Sequence, residues 1–374
     1  RNNTMKRKLF SLILIISIFT LILAACQTNS NDVEPTVSTG PTSTDETSAT
    51  PDDGGSGTED DTEDPDATSA PTEEDDFEPA DIHIGGLKGP TSMGLVQVME
   101  NAENGTAANN YTFTISGSAD EVTPKLIRGE MDIAALPANL ASVLYNNTEG
   151  KIQLLAVNTL GVVYIVEKGD TVSSLEDLRG KTIYATGKGS SPEYALRYLL
   201  SENGIDPDKD VTIEWKSEPT ETVALLKGAE GGVALMPQPY VTVAQTQVEG
   251  LRIAVDLTEE WNKLDNGSMM ITGVLAVRSE FAEQYPEQIS AFLDEYKEST
   301  EYVNANVAEA AQLVEKFDIV KAAVAEKAIP YCNITFIEGS EMKAAMQGYL
   351  QVLFDQNPKS VGGELPDDNF YYER

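Results

Sequence analysis

Two glycine-rich turns that carry hydroxyl groups are the first places where this sequence could do chemistry. Residues 86–92 read Gly-Leu-Lys-Gly-Pro-Thr-Ser, and residues 187–192 read Gly-Lys-Gly-Ser-Ser-Pro. Each turn follows a short apolar stretch typical of a buried strand and precedes a helical pattern. A helix start offers unpaired backbone N–H groups and a partial positive charge, which favour an anion. The candidate ligand contacts here are Lys88, Gly89, Thr91, Ser92, Lys188, Gly189, Ser190 and Ser191.

A second set of polar side chains follows other predicted strands. The turns at residues 137–139 and 237–240 supply Asn139, Gln238 and Tyr240, whose amide and hydroxyl groups can both donate and accept hydrogen bonds. Residues 116–119 and 158–161 add Ser118 and Thr159. A structural alternative stays open, because these hydroxyls could simply cap helices. In that case Ser191 is the N-cap residue, with Pro192 at the first helical position.

The residues that could suggest catalysis or metal binding do not fit the patterns that such sites require. The triplet Gly180-Lys181-Thr182 resembles the end of a phosphate loop, but Leu175 occupies the required glycine position and the helix precedes the strand. The only histidine, His83, lies in a predicted central strand, and Cys332 is predicted to be a buried thiol. We therefore predict no catalytic residues, no metal site and no cofactor. Trp261 could reach a cleft or pack in the core.

The elements around these turns occur twice, which predicts an α/β protein with two related lobes. A strand followed by a glycine-rich turn and the beginning of a helix occurs from residue 81 onward, and the same succession occurs again from residue 182. A helix end with a glycine that runs into a strand occurs at 126–137 and recurs at 225–237. Alternating short strands and helices predict a mainly parallel sheet in each lobe, with ligands bound beyond the carboxyl ends of the strands. Further helices are predicted at 281–304, 307–317, 319–328 and 341–355.

The charge distribution argues against a nucleic-acid binder. The chain has 61 acidic and 26 basic residues, for a net charge of −35. No Lys or Arg lies between residues 27 and 81, and the part from residue 82 onward still has a balance of −21. Binding to phosphates requires a basic surface, so a nucleic-acid partner is not expected.

The first 80 residues are predicted to be an address and a tether. A basic start at residues 6–8 and an apolar run to residue 23 are typical of a signal peptide, and residues 23–26, Leu-Ala-Ala-Cys, resemble a bacterial lipobox. The resemblance implies lipidation of Cys26 and a membrane anchor outside the cytoplasm; the alternative is an uncleaved anchor helix. Residues 27–80 are acidic and rich in Ser, Thr, Pro and Gly, which predicts a disordered tether, or else a weak cation-binding tail.

The remaining sequence resembles the solute-binding proteins of ABC importers, of the nitrate/sulfonate/taurine type and the related thiamine-pyrimidine-precursor type. Four segments carry most of this resemblance, at residues 125–134, 173–181, 187–193 and 236–242, with a further stretch at 274–279. The turn that often reads Pro-Glu-Pro in this family has Gln238 in place of the acid. That change favours an anionic or neutral ligand. The cysteine-rich motif of the related fungal pyrimidine synthases is absent.

The resemblance implies a type II periplasmic-binding-protein-like fold, with two lobes joined by crossover segments near 162–168 and 271–278. The first lobe would comprise residues 81–168 and 271–374, and the second residues 169–270. A monomer would close around a small organic anion or heterocycle and deliver it to an ABC permease and its ATPase. The resemblance also implies that the hydroxyl and amide residues named above correspond to the ligand contacts of this family. Two other functions stay open: a surface sensor or adhesion module, and a lyase-type enzyme on the same fold.

Overall fold

A computed structural model describes residues 77–217 and 219–374, which belong to one compact unit. The predicted signal peptide, the lipidation site Cys26 and the predicted tether up to residue 76 lie outside the described residues. None of the helices in the described part of the chain has the length and apolar character that a membrane span requires.

Strands and short helices alternate along the described chain. The strands are β1 (Asp81–Leu87), β2 (Asn110–Ser116), β3 (Ile133–Pro137), β4 (Ile152–Leu160), β5 (Val163–Lys168), β6 (Thr182–Ala185), β7 (Thr212–Trp215), β8 (Gly232–Pro237), β9 (Leu251–Asp256), β10 (Ile271–Arg278) and β11 (Ile334–Ile337). The helices are α1 (Pro90–Met93), α2 (Val96–Asn104), α3 (Ala119–Arg128), α4 (Ala138–Asn147), α5 (Ser191–Glu202), α6 (Pro219–Gly228), α7 (Tyr240–Gln247), α8 (Leu257–Asn262), α9 (Ser279–Gln284), α10 (Pro286–Ala305), α11 (Val307–Lys316), α12 (Ala322–Ala328) and α13 (Gly339–Gln356). Short 3-10 helices occupy Glu176–Leu178, Ile329–Tyr331, Pro358–Val361 and Asp368–Phe370.

Two sheets of corresponding strand order form two lobes, and the first sheet has one additional edge strand, β11. The first sheet has the order β11-β4-β10-β3-β1-β2, and the second has the order β7-β6-β8-β5-β9. In each, three parallel strands are followed by one antiparallel strand that arrives from the other lobe, β10 in the first sheet and β5 in the second. We call the first sheet with α1–α4 and α9–α13 lobe 1, and the second sheet with α5–α8 lobe 2. The predicted α/β class and duplicated topology are confirmed.

Both crossover segments are full strands of a sheet. Strand β5, which the sequence assigns to the end of the first lobe, pairs with β8 and β9 in lobe 2. The chain therefore passes from lobe 1 to lobe 2 at residues 161–162, between β4 and β5. It returns at β10, which inserts between β3 and β4.

Local sequence signals explain where the helices end. Helix α3 has acidic residues in its first turn and basic residues in its last, and ends at Gly129 with φ 75°. Glycine adopts this left-handed conformation without steric cost, so it terminates the helix and turns the chain into β3. The predicted helix at 281–304 is two helices, α9 and α10, because Pro286 disfavours helical backbone at Tyr285.

A continuous hydrophobic core joins the two lobes. It includes Leu154 and Tyr349 of lobe 1 together with Leu196 and Trp261 of lobe 2. The Trp261 ring is fully buried, and its centroid lies 4.8 Å from that of Tyr198 and 5.9 Å from that of Tyr349. Trp261 is thus a core residue at the lobe junction.

Candidate functional site

Polar turns from both lobes follow the carboxyl ends of the strands at the lobe junction. Strands β1 and β3 of lobe 1 lead into α1 and α4, and strands β6 and β8 of lobe 2 lead into α5 and α7. A hydrogen bond of 3.2 Å from Ser191 Oγ to Asn139 Oδ1 connects the starts of α5 and α4. The two lobes therefore meet where the sequence predicts the ligand contacts.

The turn after β1 is held by its own hydroxyl group. Ser92 is fully buried, and its Oγ accepts a hydrogen bond of 2.8 Å from the Leu87 backbone N–H. The side chain of Thr91 is also buried, and its backbone carbonyl accepts from Asn158 Nδ2 at 3.1 Å. Gly89 is the residue before the first turn of α1. These residues shape the turn, and Ser92 has a structural role in addition to any contact with a ligand.

Lys88 forms an ion pair on the surface of lobe 1. Its Nζ lies 2.6 Å from Asp318 Oδ2, and the two side chains are 43% and 89% exposed. Lys88 donates a hydrogen bond to this carboxylate and so lowers the pKa of Asp318. The ammonium group is paired with an exposed carboxylate in this structure, so its contact with a ligand stays a prediction.

The turn after β6 uses several of its polar groups in hydrogen bonds of its own. Helix α5 begins at Ser191, so the N-cap is Ser190 and the predicted N-cap position was wrong by one residue. The Gly189 N–H donates to Glu193 Oε2 at 2.7 Å, and Ser190 Oγ donates to the Gly187 carbonyl at 2.6 Å. Lys188 is exposed at the tip. The N–H group expected to meet an anion at Gly189 is therefore already bound to a carboxylate.

Asn139 has a partner at each end of its amide. Its Nδ2 donates to the Ser360 carbonyl at 3.1 Å, and its Oδ1 accepts from Ser191. Burial raises the pKa of Tyr349 to about 12, and a hydrogen bond with Ser191 partly offsets that effect. Asn139 and Ser191 thus hold the two lobes together in this arrangement.

The end of β4 carries a buried polar pair. Asn158 and Thr159 are both fully buried, and Thr159 Oγ1 donates to Asn158 Oδ1 at 3.0 Å. The neighbouring Gly161 carbonyl accepts from Asn333 Nδ2 at 2.6 Å. These hydrogen bonds surround the first crossover, and Thr159 is linked to the turn after β1 through Asn158, whose Nδ2 donates to the Thr91 carbonyl.

Gln238 and Tyr240 differ from the residues above. Gln238 is 2% exposed, and its Oε1 accepts from Thr242 Oγ1 at 3.0 Å and Thr242 N at 3.3 Å. Its Nε2 is buried and has no hydrogen-bond partner among the described residues. Tyr240 is 41% exposed at the first position of α7. Ser118, before α3, is also exposed, and its side chain makes no capping hydrogen bond.

The sequence does not point to Thr242 and Tyr349, which contact the predicted site residues Gln238 and Ser191, or to Asn333, which holds Gly161 beside Thr159. Thr242 lies four residues after Gln238 near the start of a helix, a spacing that brings two side chains together and could have been noticed. The other two come from distant parts of the chain, so no local pattern points to them.

The two residues set aside as decoys are structural. His83 Nε2 lies 2.9 Å from Thr114 Oγ1 within the first sheet. Cys332 is fully buried, and burial raises the pKa of its thiol to about 12, so the predicted buried thiol is confirmed. Within residues 77–217 and 219–374, no group of three His, Cys, Asp or Glu side chains could hold a metal ion.

Two cavities of lobe 1 are lined by residues outside these turns. One, of about 730 Å³, is lined by residues that include Asp81 and Asp132, near the amino end of β1. Another, of about 630 Å³, lies beside β2 and is lined by residues that include Phe113 and Phe317. At the lobe junction, Gln238 and Thr91 are both buried in this structure.

Two α/β lobes of the same topology, with polar turns that meet at their strand ends, define the fold of two-lobed solute-binding proteins. The chain belongs to the NMT1-like family, whose family model matches residues 93–316. None of the curated protein sequences is a significant match.

Solved structures with this fold include several binding components of ABC importers. An ABC transporter protein from Parabacteroides distasonis is 25% identical with a TM-score of 0.67, and the match covers 78% of this chain and 99% of that one. The periplasmic aliphatic sulphonate binding protein SsuA from Escherichia coli is 18% identical with a TM-score of 0.63, covering 79% and 93%. The periplasmic nitrate-binding protein NrtA from Synechocystis PCC 6803 is 15% identical with a TM-score of 0.51, covering 75% and 82%. The predicted resemblance to the nitrate/sulfonate type is confirmed.

Proposed function

We propose that this chain is an extracytoplasmic, lipid-anchored solute-binding protein. It captures a small organic anion or heterocycle between its lobes and delivers it to an ABC permease. The observation that carries the proposal is the meeting of α4 and α5 at Asn139 and Ser191, directly beyond the strand ends of two lobes with duplicated topology. Ligands of open α/β sheets bind at such strand ends.

The comparisons support a binding role. The SsuA and NrtA neighbours are named for sulphonate and nitrate binding, and the family model spans most of both lobes. Binding proteins of this architecture signal a bound ligand by closing about the crossover segments. The lobe boundaries, with lobe 2 between residues 162 and 270, and the monomeric state are part of the proposal.

A ligand screen tests the binding role. Purified residues 77–374 would be tested by thermal shift and by tryptophan fluorescence against sulfonates, nitrate, aromatic acids and pyrimidines. Because Trp261 lies at the lobe junction, lobe closure should change its emission. Folded protein that no compound class stabilises would contradict the proposal.

Lipid anchoring needs a separate experiment. The full chain expressed in a bacterium should partition with membranes and incorporate labelled fatty acid, whereas the Cys26→Ala variant should do neither. Equal labelling of both variants would exclude Cys26 as the anchor.

The site itself is tested by Ser191→Asp. The new carboxylate would lie beside Asn139 Oδ1, and the repulsion between the two acceptors should separate the lobes and weaken binding by more than about tenfold. Ser201→Asp, on an exposed position in the last turn of the same helix, is the matched control and should bind as wild type. Equal affinity of the two variants would move the site away from this turn.

A further inference from the structure

We propose that Gln238 selects the ligand by polarity: its Nε2 donates a hydrogen bond to an acceptor oxygen of the ligand, and a ligand that presents an ammonium group there is rejected. This inference rests on the proposed function and adds to it the chemical class of ligand atom that lobe 2 recognises.

The position of Gln238 places it at the lobe junction. It directly follows β8, the strand between β6 and the crossover strand β5. Its backbone N–H donates to the Val162 carbonyl at 2.9 Å, which ties it to the segment where the chain enters lobe 2. Helix α7 begins two residues later at Tyr240. Gln238 is thus held at the junction by the strand that precedes it and by the helix that follows it.

The hydrogen bonds of Gln238 decide which end of its amide is available. The Thr242 backbone N–H can only donate, and it lies 3.3 Å from Oε1. The Thr242 hydroxyl also donates to this oxygen, at 3.0 Å. The amide oxygen is therefore used within the protein, and the amide nitrogen must be the end that remains. That nitrogen has no acceptor in the described part of the chain, although it is buried.

The contrast with Asn139 shows that an amide at the lobe junction need not be left with an unpaired nitrogen. Asn139 follows β3 and Gln238 follows β8, which are corresponding strands of the two sheets. Both amides are at least partly shielded from solvent. Asn139 has a protein partner for its oxygen and its nitrogen. Gln238 has partners only for its oxygen, as far as the described residues extend. A buried donor without an acceptor is unfavourable, and native proteins seldom keep one that a ligand or water does not satisfy.

The surroundings of Gln238 favour an acceptor that carries negative charge. Helix α7 has eight residues, and its N-terminus adds a partial positive charge beside the amide. The acidic residue at the end of β9, Asp256, accepts hydrogen bonds from the backbone of Thr258 and Glu259, so its charge is directed into the start of α8. A carboxylate, sulfonate, nitrate or carbonyl oxygen satisfies the Gln238 donor, whereas an ammonium group cannot.

The test exchanges the donor for an acceptor. Wild type, Gln238→Glu, Gln238→Met and the control Gln247→Glu would be compared; the control makes the same change at the exposed last residue of α7, the helix that follows Gln238. Affinities would be measured by thermal shift and calorimetry for two panels: sulfonates, carboxylates and nitrate, and the ammonium compounds of matching shape. We expect wild type and Gln247→Glu to bind the acceptor panel, and Gln238→Glu to lose about tenfold or more of that affinity. Gln238→Met should lose the same binding without gaining any for ammonium compounds.

The outcomes separate this inference from the proposed function. If Gln238→Glu and Gln238→Met, both folded, bind the acceptor panel as tightly as wild type, the role of Gln238 is refuted while the binding role stands. That role is equally refuted if wild type binds only ammonium compounds. If folded wild type binds no compound of either panel, the proposed function and this inference both fail.

Discussion

At the scale of single residues, the polar groups of the junction differ in how fully the protein itself uses them. Ser92, Ser190 and Asn139 are engaged in internal hydrogen bonds, Gln238 is half engaged, and Tyr240 is exposed. The sequence predicts where such groups lie, because a turn after a strand is a local pattern. The sequence does not predict the hydrogen-bond partners of these groups, because the partners lie far away along the chain, as Ser360 does from Asn139. A ligand therefore has fewer free contacts than the sequence suggests.

A serine-to-alanine change tests the structural role of Ser92. Ser92→Ala should lower the free energy of unfolding by about 2 kcal/mol, because the Leu87 N–H loses its acceptor. Urea denaturation followed by circular dichroism measures the change. Ser118→Ala is the control: its hydroxyl is exposed and caps no helix, so the expected change is below about 0.5 kcal/mol. Equal effects of the two substitutions would show that the Ser92 hydroxyl does not hold the turn.

At the scale of elements, local signals predict the helices and strands well but not the sheet that each strand joins. Gly129 ends α3 as expected, and the strand after it is β3. The sequence places the first crossover at residues 162–168, which include β5, but it does not indicate which sheet this strand joins, because a strand buried on both faces is apolar through most of its length and gives no sign of its partners. Its pairing with β8 and β9 depends on contacts more than 60 residues away along the chain.

A buried carboxylate fixes the turn after β5. Glu167 accepts hydrogen bonds from Thr171 N at 3.0 Å and Val172 N at 3.0 Å, and its Oε2 lies 2.5 Å from Arg252 Nη2 on β9. Burial alone would raise the pKa of Glu167, but these hydrogen bonds and the guanidinium charge outweigh it and lower the pKa below its ordinary value of 4.5. The ionised carboxylate thus stabilises the folded state.

This carboxylate should give the protein part of its acid sensitivity. Its stabilising effect is complete above the ordinary pKa of 4.5 that applies to the unfolded chain, and it is lost as the pH falls through the lower folded value. Glu167→Gln should cost about 2 kcal/mol at pH 7, and the difference from wild type should shrink towards about pH 3. Thermal unfolding at a series of pH values measures this, with Glu221→Gln, an exposed residue of α6, as the control. A difference that is constant with pH would mean that the charge of Glu167 contributes nothing.

At the scale of the whole molecule, the lobes are joined by a shared core and a few polar contacts. Besides the Ser191–Asn139 pair, Tyr164 OH of lobe 2 donates to the Tyr331 carbonyl of lobe 1 at 2.7 Å. The Asn357 Nδ2 after α13 donates to Tyr194 OH of α5 at 2.9 Å. We expect contacts of this kind to be lost when the lobes separate, so each of them should favour the closed arrangement.

Removing one such contact should shift the balance between closed and open forms. Tyr164→Phe loses a hydrogen bond worth about 1 kcal/mol, which reduces the closed population about fivefold relative to the open one. Small-angle X-ray scattering should show a larger radius of gyration for the unliganded variant, and ligand affinity should fall by a similar factor. Tyr302→Phe, on helix α10 of lobe 1, serves as the control. An unchanged radius and affinity would show that the Tyr164 hydroxyl does not favour closure.

The insertion of β10 between β3 and β4 has a consequence for biosynthesis. Strands β3 and β4 are complete by residue 160, but they cannot pair directly, and the strand that bridges them ends at residue 278. Every strand of the second sheet has been synthesised by residue 256. As the chain leaves the ribosome, lobe 2 can therefore form its sheet while lobe 1 still has a gap one strand wide. Strands β3 and β4 are synthesised early, but their partner β10 is synthesised late. The edges that pair with β10 therefore stay exposed for longest during synthesis.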